Sequence, residues 1–214
     1  ESGMSRLRGR ALNGWSFFFL VAALTLAVIL IGLTTTGFAT PEAAVEMIRL
    51  SVQLASPWVF LAFIASPLNQ LAPSEFANWL LRNRRYLGLS FAAGFGWQAA
   101  FIGVMLARHN TYYWEELHND HDLFLRMISY VFLTAMTVTS FFPVRRRMHR
   151  EHWRYLHLAG IWFFWAAIWV SYAGQAASAG ARTIDLIYTT LGLLTLSLRL
   201  VAYQRTRSRG LVSP

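Results

Sequence analysis

Apolar residues in this chain run in long blocks rather than in the stripes of an amphipathic surface helix. Six blocks hold few or no charges: residues from about 15 to 36, 49 to 71, 86 to 107, 123 to 142, 153 to 173 and 184 to 203. About 20 apolar residues at 1.5 Å per residue cross a hydrocarbon core of roughly 30 Å, so each block predicts a transmembrane helix. Pro57 and Pro67 lie inside the second block. They do not count against it, because neighbouring groups re-satisfy the carbonyls that proline frees in a membrane helix. The loops between blocks reach about 15 residues at most, too few for a soluble domain. The pattern therefore predicts an all-α polytopic membrane protein, with residues 1–214 forming one domain of six transmembrane helices.

The arginines orient it. Arg6, Arg8 and Arg10 precede the first block, and Arg82, Arg84 and Arg85 lie between the second and third. Arg145, Arg146, Arg147, Arg150 and Arg154 lie between the fourth and fifth, and Arg205, Arg207 and Arg209 follow the sixth. The alternate loops hold Arg108 and Arg182, with Arg49 at a block edge, and most of the acids. By the positive-inside rule this distribution puts both termini in the cytoplasm. A multi-pass protein of the bacterial inner membrane is expected.

Composition supports this picture and narrows the chemistry. Hydrophobic residues make up 56% of the 214 and charged residues 14%, with a mean hydropathy of +0.39. Soluble domains carry about 25% charged residues. An ordinary soluble enzyme, a disordered tail and a nucleic-acid-binding domain are thereby excluded. The net charge of +9 reads as a topology signal facing anionic headgroups. Cysteine is absent, which removes disulfides, thiolate ligands and a cysteine nucleophile. Lysine is absent as well, which removes a Schiff base.

Of the six histidines only His157 falls inside a block, about one turn from the end of the fifth. An ionisable group in a span is a functional candidate by default. His109, His118 and His121 share the loop after the third block with Glu115, Glu116, Asp120 and Asp122. Imidazole with carboxylate suits a transition metal, so these three form a candidate periplasmic metal site beside the plainer reading of a hydrated polar loop. Gln98 is the one amide in the middle of the third block and calls for a partner. Arg126, near the outer end of the fourth, is expected to snorkel outward or pair with Asp122. Trp162, Trp165 and Trp169 share a helical face, on which they could fill the core, pack a cofactor or carry electrons.

Three stretches carry a family resemblance. Arg84-Arg85-Tyr86-Leu87-Gly88-Leu89 opens the third block, Thr139-Ser140 ends the fourth, and Trp153-Arg154-Tyr155-Leu156-His157 opens the fifth after a basic loop. The pattern RRxLGL, TS, basic stretch and WxxLH resembles the ferric-reductase-like transmembrane domain family over blocks two to five. The resemblance implies a helical domain whose third- and fifth-span histidines hold b-type haem and pass electrons across the membrane. Position by position, His157 matches the first histidine of the fifth span, while Val170 and Gln98 stand at the other two ligand positions. It thus implies at most one haem b, on His157, with Gln98, Arg84 and Arg85 around the cofactor.

Three functions follow. The first is a membrane redox-family subunit carrying electrons through His157. The second is a haem-free structural or assembly subunit of a larger membrane complex. The third is a periplasmic metal-binding protein. Lipid, other membrane or periplasmic subunits, and a quinone near Arg84, Arg85 and His157 are the expected partners. No nucleic acid is expected, and no catalytic residue is singled out.

Overall fold

The computed structural model describes residues 12–117 and 119–210, without the side chains of residues 121, 122, 209 and 210. Arg6, Arg8, Arg10 and His118 lie outside the described residues. The described regular structure is helical throughout, with no strand among the described residues. The helices are α1 (Gly14–Thr35), α2 (Pro41–Leu71), α3 (Glu75–Arg108), α4 (Asp120–Thr139), α5 (Phe142–Arg147), α6 (Arg150–Ala176) and α7 (Thr183–Gly210). A short turn at Asn110–Tyr112 and a π-helical turn at Tyr113–Leu117 join α3 to α4. Five helices are long and apolar enough to cross a membrane: α1, α2, α3, α6 and Thr183–Ser208 of α7.

The fourth block behaves differently. It forms a helix, but its apolar stretch is the shorter Leu123–Thr139. Expected to reach residue 142, the helix stops at Thr139. Pro143 is the cause. Within a continuous helix its ring would strike the carbonyl of Thr139, and it has no N–H to offer. The last turn tightens instead, with Ser140 N–H donating to Thr137 O at 3.1 Å and Phe141 N–H to Val138 O at 3.2 Å. Pro143 then sits in the first turn of α5, where proline is tolerated.

Other ends depart from the hydropathy edges because capping fixes them. The Thr40 hydroxyl accepts from Ala43 N–H at 3.2 Å, with Pro41 in the first turn, so α2 starts well ahead of its apolar block. Ser74 accepts from Ala77 N–H at 3.2 Å and starts α3 in the same way. At 34 residues α3 is about 51 Å long and outreaches the hydrocarbon core. At its early turns the buried Asn83 ties down the start of α1. It accepts from Gly14 N–H at 2.8 Å and donates to Asn13 Oδ1 at 2.9 Å.

Short connections make sequential helices antiparallel neighbours, and α2 is the centre of the bundle. It packs along α3 on one side and against α7 and α6 on the other, α1 leans on α3, and α4 rests mainly on α6. Pro57 and Pro67 lie within α2 and leave the carbonyls four residues earlier, Gln53 and Phe63, without a helical donor. Both are satisfied from α7. The Tyr188 hydroxyl donates to Gln53 O at 2.8 Å, and the Arg199 guanidinium donates to Phe63 O at 3.0 Å.

Small residues set the closest approaches. A Cβ on Gly94 of α3 would come within 2.6 Å of Ala55 Cβ on α2, and one on Gly192 of α7 within 2.2 Å of the Trp169 ring on α6. Small residues let membrane helices meet backbone to backbone. Gly94→Leu should therefore push α3 off α2. The expected loss is about 1–3 kcal/mol, read as a lower denaturation midpoint in detergent, whereas Gly103→Ala, which meets open space, should change it little.

Candidate functional site

At the arginine-rich end, α2, α3, α4, α6 and α7 enclose a cavity of about 370 Å³. Its inner wall is apolar, built from Phe91 of α3, Met136 of α4, Ile161 and Phe164 of α6, and Val59 of α2. Its mouth is basic: Arg84 and Arg85 of α3, Arg145 of α5, Arg154 of α6 and Arg199 of α7 all line it, and no carboxylate does. Small ligand sites typically begin at about 300 Å³ and pair apolar walls with a few placed polar groups.

The five guanidinium groups are held differently. Arg199 is committed to the fold: besides its bond to Phe63 O, it lies over the rings of Phe63 and Trp162, 4.3 and 4.8 Å from their centroids. Arg84 makes one long bond, 3.4 Å, to the Ser66 hydroxyl. Arg85 lies among the rings of Trp15, Tyr86, Phe141 and Phe142, at 5.1–5.7 Å, and its Nε is buried without a partner. Arg145 stacks on Trp153 at 4.5 Å, and Arg154 is exposed.

His157 lines the same cavity. Its Nε2 meets the Thr139 hydroxyl at 3.2 Å, and its ring lies 4.3 Å from that of Trp153. Trp153 in turn donates from its indole to Thr139 O at 3.1 Å. The Thr-Ser end of α4 and the Trp-to-His turn of α6 thus form one hydrogen-bonded corner, which is why those two motifs belong together in this chain.

A low-spin, electron-carrying haem b calls for donors on both faces of its ring, most simply two imidazoles, whereas one imidazole is enough for a five-coordinate haem. The cavity offers one imidazole, already engaged by Thr139. Met136 is the nearest alternative donor type, but its sulfur packs against the backbone of Gly160, one turn along the helix from His157 itself. Gln98 lies away from the cavity and accepts from the Tyr130 hydroxyl at 3.3 Å. Val170 is 60% exposed and faces away from the bundle. Between these levels Phe91, Phe95 and Phe164 pack ring on ring, with centroids 4.7–5.9 Å apart. These residues do not fit a haem held by two axial ligands.

The structure therefore brings Arg84, Arg85 and His157 together and leaves Gln98 elsewhere. At the opposite end His109 meets Phe38 O through Nε2 at 3.1 Å. Its expected metal partners, His118 and the His121 side chain, lie outside what is described. No cluster of three potential metal ligands occurs among the described residues. Arg126 donates to the Tyr113 hydroxyl at 2.9 Å. Two tryptophans of α6 satisfy their N–H groups on α7: Trp165 on the Thr195 hydroxyl at 2.9 Å and Trp169 on Thr189 O at 3.2 Å.

Sequence reasoning passes over Arg199. The signal is present, a charge inside an otherwise apolar span, but it is hidden by the basic flank that begins at Arg205. Arg145 and Arg154 read in the sequence as topology signals only. Arg145 reaches the cavity from α5, the short helix that begins at the Pro143 break, and lies over the Trp153 ring of α6, while Arg154 reaches it from the first turns of α6. Arg199 and Arg154 should behave oppositely. Arg199→Leu leaves a buried carbonyl bare and should cost about 1–3 kcal/mol in detergent unfolding, while Arg154→Gln, at an exposed position, should stay within about 0.5 kcal/mol.

Comparison with family models, with curated proteins and with solved structures returns no match to this chain, so the cavity's role rests on its own chemistry.

Proposed function

We propose that this protein is a haem-free binding or assembly subunit within a larger complex of a bacterial inner membrane. In this reading it spans the bilayer with α1, α2, α3, α6 and α7, and α4 makes a sixth, shorter crossing. Both termini face the cytoplasm, and the basic cavity opens at the cytoplasmic leaflet. The orientation draws on Arg82, Arg84, Arg85, Arg145–Arg147, Arg150 and Arg154 at one end, against the Glu46–Arg182 pair at 3.1 Å at the other.

One observation carries the haem-free reading. The single imidazole of the cavity is bound to Thr139, and the space deeper in the bundle is filled by Phe91, Phe95 and Phe164. A fold built for haem can lose the cofactor and keep its helices, because function lives in the site and not in the fold. The competing reading, an electron carrier with one haem b on His157, draws on that histidine's place in the cavity wall beside Arg84 and Arg85.

An absorption spectrum of the protein purified in mild detergent, oxidised and then dithionite-reduced, separates the two. The proposal expects no Soret band and no reduced α/β bands from well-folded protein. About one haem per chain, lost in His157→Ala, would establish the carrier instead.

A further inference from the structure

We propose that the basic cavity binds the headgroup of an anionic phospholipid, with an acyl chain lying in the apolar groove beside it. This rests on the haem-free reading, since a haem would fill the same space.

The charge balance is the first argument. Arg84, Arg85, Arg145, Arg154 and Arg199 converge on one cavity whose lining holds no carboxylate. Among the described residues none of these five forms an ion pair. Gathering like charges at the edge of a low-dielectric bundle is unfavourable unless an anion joins them. The Nε of Arg85 is buried and unpartnered, and Arg84 holds only its long contact to Ser66. Arg84 and the exposed Arg145 and Arg154 keep donors for the oxygens of a phosphate, which guanidinium groups match in geometry.

The groove is the second argument, and it separates a lipid from a soluble anion. A further depression of about 380 Å³ runs along α1, α3 and α4 and shares Leu89, Leu133 and Thr137 with the cavity. Apart from Thr134, its other walls are apolar, among them Trp15, Phe18, Ala92, Ala93 and Phe141. The two alanines of α3 leave it the room that larger side chains would fill. A basic head site beside an apolar, laterally open groove, with Leu89, Leu133 and Thr137 bordering both, suits an amphiphile arriving from the leaflet. Basic pockets between membrane helices are known headgroup sites.

The test is native mass spectrometry of the detergent-solubilised protein with an equimolar mixture of phosphatidylglycerol and phosphatidylcholine of matched chains. One phosphatidylglycerol per chain should be retained, with roughly tenfold or greater preference, a factor of ten corresponding to about 1.4 kcal/mol. Arg84→Gln combined with Arg154→Gln should cut that preference to about twofold or less. Arg145→Gln alone, at an exposed site at the mouth, serves if the pair fails to fold. Arg205→Gln with Arg207→Gln, beyond the cavity, should leave the preference intact. Equal retention of the two lipids, or a preference that survives the cavity variants, would overturn the proposal. Millimolar glycerol phosphate should not displace the lipid; if it does so efficiently, the ligand is a soluble phosphate and the lipid assignment falls. A Soret band in the same sample would remove the haem-free reading as well, whereas a featureless spectrum with no bound lipid would remove this inference alone.

Discussion

Pro57 and Pro67 each strip a donor from the central helix, and in a hydrocarbon environment no water can replace it. Every buried carbonyl there must find a partner within the protein. Tyr188 and Arg199 of α7 supply the two missing donors, to Gln53 O and Phe63 O. The last helix in sequence is thereby fixed, in height and in rotation, against the second. The same helix also accepts the indole N–H groups of Trp165 and Trp169. α2, α6 and α7 thus close into a polar-stitched core inside an otherwise apolar bundle.

That stitching has a consequence at the cavity. Arg199 is in place because Phe63 O needs it, and once there it adds a positive charge to a mouth already lined by Arg84 and Arg85. A further proline, Pro143, completes the mouth. It ends α4 at Thr139, releases the Thr139 carbonyl to the Trp153 indole, and turns Arg145 of α5 over that ring. Backbone accounting at prolines therefore shapes both the fold and the charge of the basic cavity.

The hydrophobic blocks make the helices legible because membrane length and apolar run are nearly the same quantity. Helix ends are less legible: Thr40, Ser74 and Pro143 set them through capping and ring sterics, which hydropathy does not see. The association of Arg84, Arg85 and His157 can be read from the motifs that carry them. The state of His157 cannot, because its partner Thr139 is eighteen positions away and meets it only after the chain turns at Pro143. Val170 shows a different limit. A spacing along a helix says which residue stands at a position, and only packing shows that this position faces outward.

A double-mutant cycle on Tyr188→Phe and Pro57→Ala, followed by unfolding in detergent, tests the carbonyl account most directly. Pro57→Ala restores a main-chain N–H to Gln53 O and should make the Tyr188 hydroxyl dispensable. The account predicts that Tyr188→Phe costs about 1–2 kcal/mol alone and close to nothing in the Pro57→Ala background, a coupling within the range measured for membrane hydrogen bonds. Equal costs in the two backgrounds would contradict it.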